Sequence, residues 1–284
     1  MLGASALLSA MAALVKALAP RLPAMELVFF RSLLALPLLY LLVRRKGASL
    51  LPVNRWLVSF RAFSGTAAMF LYFWGLGQMP LADGMIIGKV QPLLIALLAP
   101  LLLHERVKGG VWLAALLSFA GVWLILEPTL RVGELGGVAF LASALFSALA
   151  HMSLRRLSVA DGPMVIVWSF TLITTVITAP LMLADFVMPT ALEWLALFAI
   201  ALLGTLGQLL MTRAYAVEEA SVVSASGYSG VLWGVFWGFI LWGEAPGTTV
   251  WLGGALVVLG GMALLWLRRG LGPRDFSLRP TSGG

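Results

Sequence analysis

Residues 139 positions apart match along most of this chain. Gly65-Thr66 recurs as Gly204-Thr205, Glu105 as Glu244, Trp112 as Trp251 and Gly121 as Gly260. A single offset joining sites spread through both halves means two copies of one unit, which must pack against each other. Both copies are strongly apolar. Hydrophobic residues make up 61% of the chain and charged residues 11%, against about 45–50% and 25% in soluble domains. In water, a chain of this composition would carry more apolar surface than one core can hide. The solvent that fits it is a lipid bilayer. Repeated membrane units facing each other across a midplane site are a mark of solute carriers, so the pattern points to transport and away from catalysis.

A helix needs about 20 mostly apolar residues to cross the hydrocarbon. Reading between charges, prolines and glycines predicts spans near 2–19, 25–43, 56–77, 81–103 and 109–126. The second copy is predicted to span near 135–154, 163–184, 191–213, 220–242 and 248–267. The expected fold is therefore an all-α integral membrane protein of ten transmembrane helices. Residues 1–128 form the first repeat, 133–270 the second and 271–284 a tail. Ala17-Leu18-Ala19 imitates a cleavage site, but no basic residue precedes the apolar run and Lys16 lies within it. The segment is expected to stay as the first span.

Lys and Arg set the direction. With the N-terminus inside, the loops after spans 2, 4, 6 and 8 and the tail hold thirteen basic residues, and the opposite face holds only Arg21 and Arg131. Both ends are thus expected in the cytoplasm. Five spans per copy is odd, so the second copy starts from the other face and the repeats are inverted. Glu105 then ends its helix inside and Glu244 ends its helix outside. The net charge of +7 comes from basic residues scattered singly between apolar runs, which fits membrane orientation and not nucleic-acid binding. The chain has no cysteine, which excludes disulfides and thiolate metal sites.

Several segments resemble the drug/metabolite transporter superfamily, specifically its EamA-type carriers. They are Phe29-Phe30-Arg31-Ser32, the stretch from Ala82 to Pro92 leading into Leu101-Leu102-Leu103-His104-Glu105-Arg106, Gly121-Val122-Trp123-Leu124-Ile125-Leu126, and Leu241-Trp242-Gly243-Glu244. The resemblance covers essentially the whole chain. It implies a bacterial inner-membrane carrier whose central cavity is lined chiefly by helices 3, 4, 8 and 9. It does not imply a substrate, because such carriers move amino acids, nucleotide-like metabolites, riboflavin and organic acids.

Four basic residues remain once the loops are assigned: Lys16, Arg31, Arg61 and Lys89. A charge at a span centre costs about 2.5–3.5 kcal/mol, so each needs a partner or a wet cavity. Lys16 lies near a helix end, where snorkelling is expected. Arg31 and Arg61 lie roughly 9 Å inside their helices at 1.5 Å per residue, within reach of either headgroups or a cavity. Lys89 falls near mid-span, and the repeat pairs it with Tyr228. These are the first candidates for substrate binding. Ser221, Ser224 and Tyr228 share one helix face. Gln91, Gln208 and His151 are further candidates, the last also for carrying a proton. Serine and glutamine within spans also serve simply to join helices.

Gly230, Gly234 and Gly238 form a small-residue face expected to pack against another helix. Pro92 is expected to kink its span. Trp168, Trp233 and Trp237 would stack on a planar substrate only if turned inward. No carboxylate falls at a predicted midplane, so the interior field is positive and favours an anionic solute. The expected function is secondary transport of a small carboxylate-bearing metabolite, an amino acid derivative or organic acid, by alternating access, as a monomer or homodimer with no cofactor. The alternative is a planar or zwitterionic metabolite such as riboflavin or S-adenosylmethionine. A lipid-modifying enzyme would need clustered acids, metal-spaced histidines or a nucleophile beside a base, none of which the sequence supplies.

Overall fold

The computed structural model describes residues 2–91, 93–95, 98, 116–117, 120–121, 124, 134–158, 160–217 and 229–269. All regular structure among them is helical. In chain order the α-helices are α1 (Leu2–Leu18), α2 (Ala24–Leu33), α3 (Leu36–Arg45), α4 (Arg55–Leu76), α5 (Leu81–Ile87), α6 (Glu134–Leu157), α7 (Pro163–Met182), α8 (Ala191–Val217), α9 (Ser229–Trp242) and α10 (Thr248–Arg269). Among the described residues, four helical stretches are long and apolar enough to cross a membrane: Ala24–Arg45, Leu135–Leu154, Pro163–Asp185 and Ala191–Val217.

The helix ends follow their local chemistry. Asn54 caps α4, its side chain accepting from Leu57 N at 3.0 Å. Thr190 and Glu193 form a reciprocal box at the start of α8, with Thr190 N donating to Glu193 Oε2 at 2.7 Å and Glu193 N to Thr190 Oγ1 at 3.4 Å. Gly47 and Gly243 follow the last residues of α3 and α9 with φ of +62° and +65°, the left-handed turn that glycine makes without strain.

Two predicted spans are broken. Residues 25–43 read as one helix, but the structure turns at Leu34 and Ala35 and starts again at Leu36. Pro37 is the cause: it has no N–H for the Leu33 carbonyl and its ring crowds that turn. The fourth span tightens to a 3₁₀ turn at Gly88–Val90, where Gln91 N bonds Gly88 O. Pro92 itself lies outside the described residues.

The helices sort apolar residues by where they face, not by polarity. Along α8, Leu192, Leu195, Phe198, Leu202, Leu206 and Leu210 are exposed, while Leu197, Ile200, Gly204, Gln208, Met211 and Tyr215 are buried. A greasy outer stripe and a smaller, more polar inner one is the pattern of a helix between lipid and a protein interior. Packing is organised by four contacts: α1 on α8 and α9, α4 on α6, and α2 on α7. The largest core cluster joins α1, α2, α4, α5 and α6 with Leu197 and Ile200 of α8.

Candidate functional site

An internal cavity of about 260 Å³ is lined from α1, α2, α4, α5, α6, α7, α8 and α9. Five of the predicted binding residues meet there: Arg31, Arg61, Gln91, His151 and Gln208. Ser224, Tyr228 and the side chain of Lys89 lie outside the described part, although Gly88 and Gln91 on either side of Lys89 line the cavity.

The arginines are held by two glycines. Arg31 is 5% exposed and Arg61 3%, so neither reaches the headgroups. A Cβ on Gly204 would fall 2.9 Å from Arg31 Nε and 2.8 Å from Met11 Sδ. A Cβ on Gly65 would fall 2.9 Å from Arg61 Nη1 and 2.7 Å from Phe170 Cε2. The recurring Gly-Thr pair therefore marks, in each repeat, the place where a guanidinium lies against helix backbone. Arg31 Nη2 reaches Gly204 O at 3.5 Å, and Arg61 lies 4.8 Å from the centre of the Phe170 ring. Both Nε atoms are buried without a partner. Among the described residues neither arginine meets a carboxylate, and no lining residue is acidic. A charge in a span costs about 2.5–3.5 kcal/mol, so the two guanidiniums are an expensive feature of this cavity.

A second polar group lines the same cavity. Gln91 Nε2 donates to His151 Nδ1, which Ser147 Oγ also approaches at 3.3 Å. The His151 ring stacks on Tyr215 with centroids 5.2 Å apart and planes 15° from parallel. Tyr215, Tyr72, Ser5, Ser9, Ser143 and Ser147 also line the cavity and do not stand out in the sequence. Hydroxyls in apolar helices are ordinary, and only the fold tells which face they occupy.

The repeat offset, however, does find much of this lining. Ser5 and Ala144, Leu8 and Ser147, Met11 and Ala150, Arg31 and Phe170, Met69 and Gln208, Tyr72 and Met211, and Gln91 and Gly230 are each 139 apart, and both members of every pair line the cavity. Apart from the Met11 pair and Gln91, whose counterpart is glycine, each pair has a polar side chain in one copy where the other has an apolar one. The chamber is repeated in position and asymmetric in chemistry.

Some expectations are corrected. Lys16 does not snorkel. Its ammonium pairs with Glu244, donates to Met79 O at 3.2 Å and lies 5.0 Å from the centre of the Trp242 ring. Glu26, in the first turn of α2, is fully buried and accepts from Val187 N at 3.0 Å. The sequence leaves the direction of Trp168, Trp233 and Trp237 open, and none of them lines the cavity. On the glycine face of α9, Gly234 packs as expected, since a Cβ there would meet Met85 Sδ at 2.5 Å, while Gly230 lines the cavity.

Apolar helices around one internal chamber define a membrane protein built to hold a small solute. Residues 1–127 and 134–266 match the EamA-like transporter family, and the chain belongs to that family, within the drug/metabolite transporter superfamily. It is a transporter and not an enzyme. It is 35% identical to the pseudopaline exporter CntI of Pseudomonas aeruginosa strain UCBPP-PA14, over 94% of this chain and 95% of the relative. It is 30% identical to a riboflavin transporter of Vibrio cholerae, over 70% of this chain and 67% of that one. A solved crystal structure of a protein 22% identical covers 95% of this chain and 97% of its own with a TM-score of 0.70, which shows a shared fold.

Proposed function

We propose that this carrier moves a small carboxylate-bearing metabolite, an amino acid derivative or organic acid, across the bacterial inner membrane by alternating access. The observation that carries the reading is the pair of buried guanidiniums, Arg31 and Arg61, lining a cavity that has no acidic residue among the described ones. Arg31 and Arg61 pair with the anionic end, Lys89 adds charge from the turn between Gly88 and Gln91, and Gln91, Gln208, Ser224 and Tyr228 orient the rest. His151, seated between Gln91 and Tyr215, is the candidate for proton coupling. Export is the direction carried by the name of the Pseudomonas relative.

The architecture behind this reading is ten spans in two inverted five-helix repeats, residues 1–128 and 133–270, with both chain ends cytoplasmic. The contacts support it. Arg31 against Gly204 and Phe170 against Gly65 are one contact and its image, because each residue lies 139 from its counterpart in the other contact. Two units related this way exchange inward-open and outward-open forms by swapping conformations. The test is counterflow in proteoliposomes loaded with mixed organic and amino acids. Wild-type protein is expected to exchange at least one labelled acid, and Arg31→Gln and Lys89→Ala to exchange it far less. Equal exchange by all three would remove both residues from the site.

A further inference from the structure

We infer that the cavity takes a solute with two separate carboxylates, one for each arginine; this rests on the carboxylate reading above and deepens it. Three observations carry it. First, the charge count: two guanidiniums line the chamber, and among the described residues it holds no acid to neutralise either. A single carboxylate leaves one positive charge uncompensated in a low-dielectric interior. A zwitterion adds an ammonium that the lining has no carboxylate to receive.

Second, the arginines are seated on different walls. Arg31 comes from α2 and rests on Gly204 of α8 beside Met11 of α1. Arg61 comes from α4 and rests on Gly65 and the face of Phe170 of α7. One guanidinium lies against helix backbone and the other against an aromatic ring. Planar guanidinium forks match carboxylates bidentately, and two forks from different helices ask for two carboxylates.

Third, the volume, about 260 Å³, lies just below the usual range of small-molecule sites, which fits a compact diacid.

The test uses purified full-length carrier in nanodiscs, with ligand-induced thermal shift as the readout. The probes are glutarate, adipate and pimelate, the monoamide of each, and n-butyl phosphate. At least one diacid is expected to bind about tenfold or more tightly than its monoamide, a difference of one decade in Kd. Arg31→Gln and Arg61→Gln are each expected to abolish that preference. If either variant folds poorly, the diacid–monoamide comparison in wild-type protein decides alone. A monoamide binding as tightly as its diacid, or an unchanged preference in both variants, overturns the two-carboxylate inference and leaves the carboxylate reading standing. Tighter binding of n-butyl phosphate assigns both arginines to one dianionic group and overturns it as well. Failure of every acid in the series overturns the carboxylate reading itself.

Discussion

Gly65 and Gly204 carry no side chain because guanidiniums occupy the space where one would sit. Alanine at Gly204 puts a methyl 2.9 Å from Arg31 Nε, an atom held near its own helix that cannot swing clear. At Gly65 the same methyl meets the edge of Phe170 at 2.7 Å. Overpacking of this kind costs about 1–3 kcal/mol, and here it also presses on the two guanidiniums proposed to bind substrate. Gly65→Ala and Gly204→Ala are therefore expected to lower substrate affinity in a binding assay by more than they lower the unfolding temperature in detergent. The recurrence of these glycines is plain in the sequence. Its reason is not, because Arg31 lies 173 residues from Gly204 and only folding brings them together. His151 supports a second prediction at this scale. Phenylalanine keeps the ring that stacks on Tyr215 but gives Gln91 no acceptor, and a buried amide left unpaired costs about 1–3 kcal/mol. His151→Phe is expected to lose roughly that much stability by chemical unfolding, and Gln91→Met added to it to recover most of the loss.

Between helices, a few carboxylates bind backbone across the repeat boundary. Glu26, in the first turn of α2, accepts from Val187 N in the loop before α8. Asp161, just before α7, accepts from Val53 N at 3.0 Å in the loop before α4. Each thus fixes the loop that follows the corresponding helix of the other copy. The Lys16–Glu244 pair is more elaborate, since Glu244 Oε2 also accepts from Leu81 N at 2.9 Å while Lys16 donates to Met79 O. Four segments are tied at one point: α1, the turn before α5, the start of α5 and the end of α9. Removing one partner leaves a part-buried charge and a backbone group unpaired, so Glu244→Gln and Lys16→Met are each expected to destabilise by about 1–3 kcal/mol in unfolding measurements. Exchanging the charges, Lys16→Glu with Glu244→Lys, is expected not to rescue. The ion pair would re-form, but Leu81 N–H would face an ammonium and Met79 O a carboxylate. Full rescue would mean that the ion pair alone holds the four segments together. The sequence shows that Lys16 and Glu244 recur as Arg155 and Glu105, yet it gives no hint that Lys16 turns toward protein, since a lysine near a helix end has headgroups in reach as well.

For the whole molecule, the offset of 139 says more than which residues match. It also marks which unlike residues stand in equivalent places: Arg31 with Phe170, Tyr72 with Met211, Gln208 with Met69. Similarity reveals the repeat, and at several lining positions the two copies depart from it, so the walls of the chamber differ in chemistry. The boundaries of α1, α4, α7 and α10 were legible because charges, prolines and glycines interrupt long apolar runs. The lining was only partly legible, since polarity says that a residue needs a partner and not which helix provides the opposite wall. Orientation is where sequence and fold make a joint prediction. An inverted arrangement requires the α3–α4 loop and the loop after α7 to lie on opposite faces, the first beside Arg44, Arg45 and Lys46 and the second beside Asp185. The chain has no cysteine, so a single introduced thiol is a unique label. Ala48→Cys in the first loop and Ala184→Cys in the second replace small residues with no part in the cavity. A membrane-impermeant maleimide is expected to label Ala184→Cys in intact spheroplasts and Ala48→Cys only after lysis. Labelling of both thiols in intact spheroplasts would put the two loops on one face, and no pair of inverted repeats could then be drawn through this chain.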